Sequence, residues 1–197
     1  MIERYVLDGA PGSGKTTLLF GTSDGAEIDG ALHTMVRLGH RCFHESVARA
    51  HAVLERQGTC YAENPALWLA TIAGLDRDQH AQAGEGLNFY DRSFHHWKFL
   101  AELQGIDLPE WYEAENARLR YGSPVFLVAP IQSIDLSGAE YRISRRFTWA
   151  QRMDMYEQLH GLYSGLGYEV AEVPVFEEGD PETNNLRRID FILDRVR

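Results

Sequence analysis

Two periods of hydrophobicity alternate along the chain. Arg4 to Asp8 (RYVLD), His40 to His44 (HRCFH), Leu87 to Tyr90 (LNFY), Pro124 to Ala129 (PVFLVA) and Tyr168 to Val173 (YEVAEV) are short apolar runs. Runs of roughly 4–8 residues bounded by turn formers suit strands buried on both faces. Between them, apolar positions recur at helical spacing. Val47, Ala50 and Leu54 form one stripe, closed by Gly58. Asn64-Pro65 opens a second through Leu67, Leu69 and Ile72, expected to fray in the polar stretch Asp76 to Glu85. Phe94 to Leu103 and Pro109 to Leu119 read as two further helices. Trp149, Met153, Tyr156, Leu159, Tyr163 and Leu166 mark a long one stopped by Gly167, and Asn185 to Val196 a last. Strands that alternate with helices predict a three-layer α/β fold with a five-stranded, largely parallel sheet. Ligands of such sheets bind outside the strand carboxyl ends. Asp8 to Thr17, Glu45, Asp91 to Ser93 and the loop after Ala129 then share one rim.

The 197 residues suffice for one domain spanning 1–197, and no repeat or low-complexity linker divides them. Nineteen basic against 29 acidic residues leave a net charge of -10, which disfavours nucleic acid or an anionic membrane as partner. No apolar run approaches the ~20 residues of a membrane helix, and the start MIERYVLDG lacks a signal peptide's basic region and cleavage site. The expectation is a cytoplasmic protein, monomer or homodimer. Cys42 and Cys60 are too few for a disulfide framework and read as buried thiols.

Gly9-Ala10-Pro11-Gly12-Ser13-Gly14-Lys15-Thr16, followed by Thr17, matches G-x-x-x-x-G-K-[ST] between a strand and a helix. The glycines let successive backbone N–H groups converge on phosphate oxygens beside a helix start. Lys15 then reaches the β- and γ-phosphates, and the Thr16 hydroxyl holds Mg²⁺. A guanine-reading N-K-x-D is absent, because the other lysine, Lys98, follows Trp97. Motors and helicases carry an Asp-Glu pair after an apolar strand to activate water. Here that place reads Asp91-Arg92, and arginine offers phosphate a fixed fork of donors.

GAPGSGKTT, a strand-end acid at Glu45 and Asp91-Arg92-Ser93 occur in an order that resembles the small P-loop kinases, including thymidylate-kinase-like and deoxynucleoside-kinase-like proteins. More specifically, nearly the whole chain resembles the kinase-like AAA-domain family that includes the ribosylnicotinamide kinase domain of NadR. The motifs are GAPGSGKTTLL, HES-x-x-R at His44 to Arg49, FYDRS at Phe89 to Ser93, VFLVAP at Val125 to Pro130 and LGYEVAEVP at Leu166 to Pro174. The resemblance implies a P-loop kinase fold with a five-stranded parallel sheet and phosphoryl transfer from ATP. The family carries an acid five positions after the Asp of D-R-G, where this chain has His96, which implies an unusual acceptor.

In a kinase, the transferred phosphoryl needs charge neutralisation, in-line positioning and an oriented hydroxyl. Asp91 is the candidate Mg²⁺ ligand beside Thr16, Arg92 the phosphate or acceptor clamp, and Glu45 the general base. Arg142, Arg145 and Arg146 fall where small kinases carry a helical lid, here about 131–152, and at least one is expected to reach the phosphates on closure. His95-His96 is the local histidine cluster, but neighbours on a helix do not share a face, so it does not read as a metal centre. His96, one turn beyond Arg92, is a candidate substrate contact. The expected activity is transfer of the ATP γ-phosphoryl to a hydroxyl of a small, nucleoside-like acceptor. The alternative is a regulatory nucleotide-binding protein with slow hydrolysis.

Overall fold

The computed structural model describes residues 1–23, 26–27, 34–132, 147–176 and 180–196. Its centre is a five-stranded sheet: β1 (Ile2–Asp8), β4 (Arg41–Phe43), β5 (Gly86–Asp91), β6 (Val125–Val128) and β7 (Val170–Val173). The order is β4-β5-β1-β6-β7, with every pairing parallel. Thr22–Ser23 (β2) and Ala26–Glu27 (β3) form a small antiparallel pair apart from it.

Side chains alternate across the strands and so separate two cores. Tyr5, Leu7, Phe89, Phe126 and Val128 face one side, where Leu18 and Leu19 of α1 (Lys15–Phe20) and Ile189 and Ile192 of α7 (Pro181–Leu193) cover them. Val6, Tyr90, Val125 and Leu127 face the other. That side is covered from α2 (Val47–Arg56), α3 (Pro65–Ala81), α4 (His96–Gln104), α5 (Trp111–Arg118) and α6 (Trp149–Gly165). The chain leaves β1 in the middle of the sheet and returns on both sides of it, so the crevice at the carboxyl end of β1 is the switch point where ligands bind.

The helix opened by Asn64-Pro65 ends at Ala81, within the polar stretch where it is expected to fray, and it stays helical past Asp76 because Asp76 and Gln79 point inward and have partners there. The last helix starts at Pro181, four residues before the expected Asn185, because Asp180 caps it by accepting from the Thr183 N–H. Cys60 is exposed rather than buried, and Cys42 is partly buried. Among the described residues no helix is long and apolar enough to cross a membrane.

Candidate functional site

The loop leaving β1 needs glycine where backbones crowd. A Cβ on Gly9 would stand 2.3 Å from the Val128 carbonyl oxygen, nearer than atoms approach. Gly12 and Gly14 adopt φ of 75° and 78°, the left-handed region that glycine enters freely. Gly14 begins α1 without a side-chain cap, which leaves first-turn amides for another acceptor. Three contacts fix the loop. Asp8 Oδ1 accepts the Gly9 N–H at 2.7 Å. Gly12 O accepts the Ile131 N–H at 2.9 Å, and Ser13 O accepts from Arg188 Nη2 at 2.9 Å. Pro11, Thr16 and Thr17 are partly exposed along this path.

Lys15 is only 6% exposed, deeper than a ligand on an open cleft surface. Burial and the nearby Arg92 push its ammonium pKa down, while Asp91, Glu45 and Asp8 oppose them. Asp91, closing β5, accepts from Thr16 Oγ1 at 2.6 Å through Oδ2. Its Oδ1 is buried without a hydrogen-bond partner. Burial raises this carboxyl to about 6, Lys15 working against the rise and Glu45 with it. An unpartnered carboxylate oxygen beside a hydroxyl suits a small hard dication that takes its other ligands from water and phosphate. Mg²⁺ fits this donor set. Among the described residues no three His, Cys, Asp or Glu side chains form an all-protein metal cage.

The facing wall is made of side chains. Glu45 follows β4 in a segment pinned from α3, where Asp76 Oδ1 accepts from Ser46 Oγ and Gln79 Nε2 donates to His44 O at 3.1 Å. Burial works against ionisation of Glu45, but Arg92 and Lys15 outweigh it and lower its pKa. Arg92 Nε lies 2.8 Å from Glu45 Oε2. Arg92 itself sits at φ 74°, a conformation costly for a residue with a Cβ. Its Nη1 is 2.6 Å from His96 Nε2, and His96 Nδ1 is 2.9 Å from Asp8 Oδ2. Tyr163 donates its hydroxyl hydrogen to the same Asp8 oxygen and pairs with Ser93 Oγ at 2.7 Å. Burial alone would raise the fully buried Asp8; the contacts from His96, Arg92 and Tyr163 outweigh it and hold the carboxyl at about 2.

Lys15, Thr16, Glu45, Asp91 and Arg92 therefore meet on one rim, as their strand-end positions required. Arg142, Arg145 and Arg146 lie outside the described residues, as does 133–146 of the expected lid. His96 is not a substrate contact: it is fully buried, with both ring nitrogens occupied by protein. His95 is equally buried, between Asn116 Oδ1 at 2.6 Å and Tyr168 Oη at 3.0 Å. Sequence reasoning placed Asp8 on the rim without giving it a role, and it missed Tyr163 and Arg188. Tyr163 was hidden in an apolar stripe, and nothing in LRRID distinguished the buried Arg188, whose guanidinium pKa burial lowers to about 10.

Residues 4–182 match a family model described as an AAA domain. No curated protein matches the sequence. Among solved structures, the chain is similar to deoxyadenosine kinase from M. mycoides with bound dATP, at a TM-score of 0.58 and 16% identity over 98% of each chain. It also aligns with shikimate kinase from Acinetobacter baumannii in complex with shikimate, at a TM-score of 0.48 and 14% identity, over 99% of this chain and 95% of that one. The first likeness is one of fold, and it makes this sheet with its helices a P-loop kinase fold.

Proposed function

The chain belongs to the AAA-domain family, and from that premise we propose that it is an ATP-dependent kinase, a single domain that passes the γ-phosphoryl to a hydroxyl of a small, nucleoside-like acceptor. One observation carries the reading. The Thr16–Asp91 contact joins the phosphate loop to the strand whose next residue, Arg92, is paired with Glu45, so a nucleotide on the loop would point its terminal phosphate at that pair. The bound dATP of the deoxyadenosine kinase with the same fold agrees with a nucleotide here.

In this reading Gly9 to Thr17 cradle the phosphates and Lys15 neutralises the β- and γ-oxygens. Asp91 and Thr16 hold Mg²⁺, which supplies further charge neutralisation when bound. Glu45 takes the proton of the acceptor hydroxyl as the acceptor oxygen bonds to the γ-phosphorus and the bond to ADP breaks. Arg92 spans both partners, with Nε on Glu45 and the rest of its fork available to phosphate oxygens. We propose that Arg142 or Arg146 of the 131–152 segment reaches the phosphates on closure, as a lid arginine does. A nucleotide-dependent regulator is the second reading, favoured by the Glu45–Arg92 ion pair, since a base engaged by a guanidinium is a weak one. The test is ADP release from ATP by purified protein against a panel of nucleosides, sugars and cofactors. A kinase responds sharply to one class; equal release across the panel contradicts the proposal.

A further inference from the structure

His96 joins two parts of the site that the sequence kept apart. A guanidinium can only donate, so at 2.6 Å from Arg92 Nη1 the ring nitrogen Nε2 must accept. The one ring proton is then on Nδ1, 2.9 Å from an oxygen of Asp8. The imidazole is therefore neutral and in a single tautomer, since a proton on Nε2 would set N–H against N–H. Its surroundings agree: Asp8 faces it from β1, Arg92 and Lys15 are the nearby cations, and the rings of Trp97 and Phe99 pack at 5.2 and 5.8 Å. Burial and the positive charge of Arg92 also press its pKa down, against Asp8.

Arg92 needs such a hold. Its backbone sits at φ 74°, which persists only where surrounding contacts enforce it. The contacts are the Arg92 N–H donated to Leu7 O at 2.9 Å, the Glu45 carboxylate at Nε and His96 at Nη1. Of the two side-chain contacts, Glu45 is one-third exposed and His96 fully buried. A reactant that engages Glu45 would leave His96 as the fixed point of the guanidinium.

We propose that His96 is the positioning residue of the transfer site: through Nε2 it holds Arg92 in register with Glu45, and through Nδ1 it ties that pair to Asp8, where the phosphate loop departs. The inference rests on the kinase reading for its effect on turnover but not for its geometry.

The two nitrogens can be tested separately, because an asparagine amide overlays Nδ1 of histidine and a glutamine amide overlays Nε2. H96N keeps a donor for Asp8 and removes the acceptor for Arg92; H96Q does the reverse. With folding checked by thermal melts, H96N should lower kcat on the order of 10²-fold with the KM for ATP near wild type, as misplacement of a positioned group does. H96Q should remain within about tenfold of wild type by the same reasoning. Equal losses in the two variants, or a folded H96N with wild-type kcat, would overturn the proposal while leaving the kinase reading in place. Nitrogen-15 spectra of the wild-type ring give a readout free of activity. They should show His96 protonated on Nδ1 alone across neutral pH. A cationic ring or an Nε2–H tautomer there would overturn the proposal even if no acceptor were found and turnover were measured as basal ATP hydrolysis.

Discussion

The loop from Gly9 to Thr16 offers a ligand backbone amides fixed by adjoining residues, whereas the wall across the rim offers Glu45, Arg92 and His96, side chains that hold one another. In the loop, geometry is local: Gly9 leaves room for the Val128 carbonyl and Gly12 and Gly14 turn left-handed within the motif itself. In the wall it is topological. Glu45 and Arg92 meet because β4 and β5 pair in parallel with Phe43 opposite Tyr90, and each acts two residues beyond that pair. A backbone site stays formed when a side chain is changed; a side-chain relay fails at whichever member is removed. Changes in the loop should therefore act on nucleotide affinity or stability, and changes in the wall on turnover at constant affinity.

The largest expected effect is in the wall. The proposed role of Glu45 as general base acts only in the transition state, so Glu45→Gln should lower kcat roughly 10²- to 10⁴-fold with nucleotide affinity nearly unchanged. Steady-state kinetics with a parallel ATP titration decide it, and a matching loss of affinity would erase the contrast between the two sides. Lys15→Ala should do the opposite. Losing a buried cation from among Asp91, Glu45 and Asp8 should weaken binding of a fluorescent ATP analogue on the order of 10³-fold, while thermal melts stay cooperative. Gly9→Ala tests the backbone directly. With Val128 O at 2.3 Å from the new Cβ, it should destabilise the fold by about 1–3 kcal/mol in urea melts, and a neutral result would mean the loop is not clamped there.

An effect graded by pH concerns the support behind Glu45. Asp76 accepts from Ser46 Oγ and Trp97 Nε1, and burial lifts its carboxyl to about 7 against those two hydrogen bonds. A carboxyl raised on folding binds more protons in the native state. It therefore favours folding at low pH and loses that contribution as pH rises from about 4 to about 7. The slope in that window should be roughly 1 kcal/mol per pH unit. Asp76→Asn should flatten it in urea melts across the range, whereas an unchanged slope would place the titration elsewhere.

The same contrast explains what the sequence revealed. The phosphate loop was legible because its glycines, Lys15 and Thr16 are contiguous, and Asp91 and Glu45 because each follows an apolar strand. The second layer was not. His96 resembles any helical polar residue until Arg92 and Asp8, distant in sequence, take its two nitrogens. Asp76 and Gln79 looked like a helix end for the same reason, since inward-facing polar residues are distinguishable from a solvated surface only once their partners are known. Arg188 reaches the Ser13 carbonyl across the sequence from a final helix with no signal of its own.

Transfer, rather than hydrolysis or nucleotide-dependent switching, is the central claim, and following the phosphorus itself tests it most directly. ATP radiolabelled at the γ-phosphorus, incubated with the protein, Mg²⁺ and the acceptor that stimulates ADP release, should yield label in the acceptor. That yield should fall with Glu45→Gln in proportion to kcat. Label recovered solely as inorganic phosphate, at a rate indifferent to acceptor and to Glu45→Gln, would contradict the account and leave a nucleotide-dependent regulator in its place.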